Sequence, residues 1–142
     1  MEQDLKLRNL KLFLKVWGIA TILVMSINWS AFIFQIEAFN PGHSMHWLIW
    51  DNIHGHVGPM IFIIYIIWGI YFLIAAKDPV KHISFLKFTM WANLGHGLVM
   101  IPMALTDSSY HSKFLTDIPF IILIAVAIYV WMPDNNTQKQ LA

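Results

Sequence analysis

"VWGIATILVMSINWSAFIFQI", residues 16–36, contains no charged side chain over 21 positions. An α-helix rises 1.5 Å per residue, so about 20 apolar residues cross the hydrocarbon core of a bilayer. The stretch is long enough, and its reading decides whether the chain lives in water or in lipid. Before it stands "MEQDLKLRNLKLFLK", with Lys6, Arg8, Lys11 and Lys15. A basic start before an apolar run also describes a signal peptide. Here the run is too long, and no small-x-small cleavage site follows it. The expectation is a retained first transmembrane helix.

The pattern then repeats downstream. "VGPMIFIIYIIWGIYFLIAA", residues 57–76, is again uncharged, with Pro59 where a first helical turn tolerates it. "KDPVKH" makes a short turn, with Pro79 as the stop. A third run covers residues 83–105, with Lys87 near its start and Pro102 placed to kink its last turns. "TDSSYHSK" is read as a loop, and the fourth run covers residues 114–132. Thr116 or Asp117 is expected to cap that last helix, and Pro133 to end it. "WGI" occurs at 17–19 and again at 68–70, on helices of opposite direction, and is read as coincidence.

Composition agrees. Of 142 residues, 58% are hydrophobic and only 12% charged, against about 25% charged in a soluble protein. The prediction is all-α: a four-span, up-down transmembrane helix bundle forming one integral membrane domain over residues 1–142. With the N-terminus inside, Lys6, Arg8, Lys11, Lys15, Lys77, Lys81, Lys87 and Lys139 fall on the inner side, and only Lys113 outside. That bias places both termini on the cytoplasmic side of a cytoplasmic or inner membrane. The lipid bilayer is the first partner, and other membrane subunits are expected. A net charge of +1 gives no reason to expect nucleic acid. The absence of cysteine excludes disulfides, cysteine-held iron–sulfur clusters and thiolate copper sites.

Two groups of residues carry potential chemistry. "NPGHSMHWLIWDNIHGHVGP", residues 40–59, falls on the outer side between the first two spans. Read as a helix, it puts His43, His46, Trp47, Trp50 and His54 on one face, as in a short interfacial helix. The alternative is a loop. His43, His46, Asp51, His54, His56 and His111 form a candidate copper or zinc set. An interfacial, structural role is the plainer reading, because no metal signature such as His-Glu-x-x-His is present.

His96 is the second. It lies inside the third span, flanked by Asn93 and Met100 at i−3 and i+4 and bracketed by Gly95 and Gly97. An ionisable group at that depth is expected to face the bundle or a cavity. It would hydrogen-bond to Asn28, Ser26 or Ser30, hold haem b iron opposite His54 or His56, ligate copper, or relay a proton.

"AAKDPVKHISFLKFTMWANLGHGLVM", residues 75–100, resembles the central block of a family of short four-helix integral membrane proteins of unknown function. Asp78, Pro79, His82, Phe88, Thr89, Trp91 and His96 carry the resemblance. It implies the same four-span fold and no particular reaction. The turn also has a structural account: Asp78 accepts hydrogen bonds from the start of the third helix, and His82 pairs with it one turn on. Asn93, Asp78 and His82 are therefore read as structural polar residues.

No nucleophile–base pair, phosphate loop or paired carboxylates occur in the sequence. The expected role is a non-catalytic accessory subunit of a larger membrane oxidoreductase, of copper monooxygenase or respiratory type. The alternative is a haem- or copper-binding redox protein using the buried and outer histidines. A small transporter is the weaker third reading.

Overall fold

The computed structural model describes residues 2–49, 54 and 56–133. Its four α-helices are α1 (Glu2–Ile33), α2 (Val57–Lys77), α3 (Ile83–Thr106) and α4 (Asp117–Trp131). Short 3₁₀ turns at Glu37–Phe39, His46–Leu48, Val80–His82 and Ser108–Phe114 lie between them. No strand occurs among the described residues. The chain forms two compact units, one of Met1–Lys15 with Ile74–Ala142, the other of Val16–Leu73.

Three helical stretches are long and apolar enough to cross a membrane: α1, α2 and Ser108–Trp131. α3 is not among them. It matches the expected third run within a residue, yet Lys87, Thr89, Asn93 and His96 dilute its apolar character. The distribution of burial is compatible with contact with a lipid bilayer. The buried set is rich in small or polar residues: Ala31, Ala75, Ala76, Ala104, Ala125, Ala127, Asn28, Thr89 and Asn93. Large aliphatic and aromatic residues face outward along every helix, for example Leu23, Ile64, Trp91 and Tyr129. In water such a surface would aggregate; against lipid tails it costs nothing, and small interior residues let backbones approach.

In the Val16–Leu73 unit, α1 and α2 cross backbone on backbone. A Cβ on Gly18 would lie 2.8 Å from the Gly69 carbonyl oxygen and 2.9 Å from Leu73 Cδ2. A Cβ on Gly69 would lie 2.8 Å from Ile22 Cγ1. The two "WGI" triplets are thus no coincidence of position: their glycines are the crossing point.

α1 ends in a Schellman motif. Gln35 donates to Phe32 O (3.3 Å) and Ile36 to Ala31 O (3.0 Å), with Gln35 in the left-handed region at φ 50°. The chain then folds back on the helix end. Met45 N donates to Ala38 O at 2.9 Å, and Asn28 Nδ2 donates to Leu48 O at 3.3 Å. Phe39 and Ile49 pack on Ala31, flanked by Met45, Leu48 and Phe62. The interfacial α-helix expected over residues 40–56 is absent from the described part of that stretch. Asn40 closes the Glu37–Phe39 turn rather than opening a helix. Gly42, at φ 85°, and Ser44 break the pattern.

In the other unit, α1 begins at Glu2, fourteen residues before the expected span, with Leu10 and Leu14 fully buried. The basic segment is amphipathic enough to pack: Lys6 pairs with Glu2 at 3.1 Å, and Phe13 meets Trp131 edge-on at 5.5 Å. α3 runs alongside α4 and approaches it at Gly97, where a Cβ would lie 2.7 Å from Ile122 Cγ1. The expected loop after α3 is largely 3₁₀. Asp107 opens it, accepting from Ser109 N (2.9 Å) and Ser109 Oγ (2.7 Å). Thr116 holds the N-cap position of α4 without a side-chain cap bond; its hydroxyl donates to Ser112 O at 3.2 Å instead.

Candidate functional site

α3 has two distinct faces. Leu86, Thr89, Asn93, Gly97, Met100 and Ala104 recur every three or four residues and are buried, as one stripe of a helix must be. Asn93 donates from Nδ2 to Thr89 O at 2.8 Å, within its own helix. Its Oδ1 is buried without a hydrogen-bond partner.

The opposite face carries Phe88, Trp91, Gly95, His96, Val99 and Met103, all exposed. His96 is exposed at the border of this face. The reason is angular. One residue is 100° of helix rotation, so Gly97 and Thr89 mark the two edges of the buried stripe, His96 lies just beyond Thr89 at its border, and Gly95 is on the far side. The two glycines do not bracket one site: Gly97 touches α4, and nothing lies within 4 Å of a Cβ built on Gly95.

Near this face stands a charged pair that the sequence reading missed. Lys113 is 1% exposed, and its Nζ lies 2.9 Å from Asp117 Oδ2. The spacing i, i+4 was the available signal; the sequence reading used Lys113 only as the one basic residue on the outer side. The pair bridges the 3₁₀ turn into the first residue of α4, where a carboxylate also complements the helix dipole. Asp117 interacts electrostatically with His96 as well. Asp107 stays below the usual carboxylate range because Ser109 donates to it from hydroxyl and amide.

The outer histidines lie apart from each other in character. His43, His54 and His56 are exposed. His46 is half-buried with Nδ1 3.3 Å from Phe39 O; a proton on Nδ1 makes that bond and leaves Nε2 as the free lone pair. His111 is exposed, its ring 6.4 Å from Phe114. Asp51 and Trp50 lie outside the described residues. Among the described residues no three His, Asp or Glu side chains gather closely enough to hold a metal ion. For copper at His96, Met100 is a poor partner, since it is buried while His96 is exposed. For haem, the space beside His96 at Gly95 is open; His54 and His56 belong to the other unit.

Ser30 donates to Ser26 O at 2.8 Å within α1, so the Ser30 hydroxyl serves its own helix. The turn after α2 is as expected in part. Asp78 Oδ1 accepts from Lys81 N at 3.4 Å, and Lys81 Nζ lies 3.5 Å from Asp78 Oδ2. Desolvation works against the charged carboxyl, yet these bonds, with the charges of Lys81 and Lys11, hold it below its ordinary range. His82 Nδ1 pairs with the Asp78 backbone carbonyl at 2.9 Å, not with the carboxylate.

Residues 10–140 match a family of unknown function, DUF6632, and the chain belongs to that family. No curated protein and no solved structure matches it.

Proposed function

We propose that this member of a family of unknown function is a four-span membrane protein serving as a non-catalytic component of a larger membrane assembly. Both termini lie on the cytoplasmic side, as the basic residues favour, and α3 is the fourth span. One observation carries the reading: α3, the described α-helix outside the three stretches apolar enough to cross a membrane, bears an exposed ionisable residue, His96. A helix that displays an imidazole to hydrocarbon is unfavourable; one that displays it to protein is not. The charged groups add support. Lys6, Lys81 and Lys113 are each engaged with a carboxylate one turn away, in the service of local structure.

The host we assign is a membrane oxidoreductase, of respiratory or copper monooxygenase type. A subunit with little chemistry of its own suits it, and the loop bearing His43 and His46 would lie near the host's metal or substrate access. A second reading, a haem- or copper-binding protein in its own right, is favoured by the open side of Gly95 beside His96.

Mild-detergent extraction from native membrane, followed by sizing, an optical spectrum and metal analysis, separates these. The expected result is a large assembly whose metal or haem stays with other chains. A lone monomer carrying its own Soret band or stoichiometric copper, lost in His96→Ala, would replace the first reading by the second.

A further inference from the structure

We infer that the basic face of the Met1–Lys15 segment, together with the turn after α2, is a recognition site for the headgroup of a net-anionic phospholipid. The inference rests on the membrane reading and adds to it a lipid of defined charge. Two observations place the parts of the site at one end of their unit. Phe13 meets Trp131 at the close of α4, and the charge of Lys11 acts on the Asp78 carboxyl in the turn. At about 100° per residue, Leu5, Arg8, Leu12 and Lys15 form one stripe of α1, with half-buried Lys11 on its border. The buried Leu10 and Leu14 lie on the other side of the helix. Arg8 and Lys15 are exposed, as are Leu5 (49%) and Leu12 (61%).

Three features select a lipid headgroup. The first is depth. Lys15 is the last residue before the charge-free run that opens at Val16. Along the helix, Lys11 stands about 6 Å further out and Arg8 about 10 Å. The three cations therefore cross the headgroup layer of one leaflet, which is about 5–7 Å thick. The second is surplus charge. Asp78 is shared by Lys81, whose Nζ lies 3.5 Å away, and Lys11. The carboxylate on the stripe itself, Asp4, lies a further turn outward from Arg8. Four cations, Arg8, Lys11, Lys15 and Lys81, thus outnumber the carboxylates among them. A zwitterionic headgroup brings its own cation and gains little from that surplus; a net-anionic one gains fully. The third is the exposed leucines. A soluble polyanion would leave Leu5 and Leu12 in water, whereas the glycerol and upper acyl chains of a lipid cover them while the lysine stems lie along the same surface.

The full chain, in whatever assembly mild detergent extracts, is reconstituted in phosphatidylcholine vesicles with a trace of spin-labelled phosphatidylglycerol or spin-labelled phosphatidylcholine. The fraction of each label immobilised at the protein gives its preference for the anionic lipid. A clear preference is expected, falling as salt is raised. Lys11→Gln combined with Lys15→Gln should lower it severalfold, since each basic side chain near an anionic surface contributes roughly fivefold. Lys6→Gln combined with Lys87→Gln removes the same charge from a lysine paired with Glu2 and from the exposed side of α3, and should leave most of the preference. Arg8→Gln carries the test alone if the first double variant does not accumulate. Equal losses in the two double variants, or no preference in the native protein, would overturn the site. Displacement of the label by millimolar inorganic phosphate would overturn it too, in favour of a soluble anion. These outcomes leave the assembly reading intact, because sizing of the native extract tests that separately. A chain that does not enter vesicles at all would overturn both.

Discussion

Gln35 occupies the one non-glycine position with positive φ among the described residues. Its place in the Schellman motif is where glycine is preferred, because a Cβ in the left-handed region costs about 1–2 kcal/mol. Gln35 recovers part of that through Nε2, which donates to Phe32 O at 2.7 Å. Gln35→Gly is expected to stabilise the end of α1 by about 1 kcal/mol, read as a rise in the unfolding midpoint in detergent; a fall would mean that the side-chain bond outweighs backbone strain. His96 is the other residue whose meaning is decided at this scale. The sequence shows a histidine mid-helix and says that it needs company. Which side it faces depends on one step of helix rotation relative to Gly97.

At the scale of elements, the glycines separate into three kinds. Gly18 and Gly69 meet backbone, which cannot yield. Gly97 meets the Ile122 side chain, which can shift. Gly95 meets nothing. Substitution by alanine is expected to destabilise by about 3 kcal/mol at Gly18 or Gly69, about 1 kcal/mol at Gly97, and not at all for folding at Gly95. Thermal unfolding of the four variants gives the ranking, and equal losses at Gly18 and Gly97 would contradict the crossing described. The junction between α3 and α4 has its own test. Asp117→Asn leaves Lys113 buried without its carboxylate partner and should cost about 3 kcal/mol. Lys113→Met combined with Asp117→Asn should recover most of that loss. If the double variant is no better than the single, the pair is not the source of the stability.

Across the whole molecule, the sequence by itself determined the helices and their apolar character. Charge-free runs of about 20 residues dictate α-helix in lipid, since each backbone polar group must be satisfied locally. The all-α architecture and the helix ends at Lys77 and Trp131 follow within a residue or two from Pro79 and Pro133. The Asp78 turn was equally legible, because its bonds span three or four residues. Tertiary structure decided everything that links distant positions. It made the basic N-terminal segment helical by burying Leu10 and Leu14, made the two "WGI" glycines one crossing, and turned Lys113 inward onto Asp117. It also folded residues 34–49 back on α1 where an interfacial helix was expected. The physical reason is clearest for the helix crossing. Hydropathy along a membrane helix is nearly uniform around its circumference, so the pattern carries little information on which face is buried; only packing between small residues supplies it.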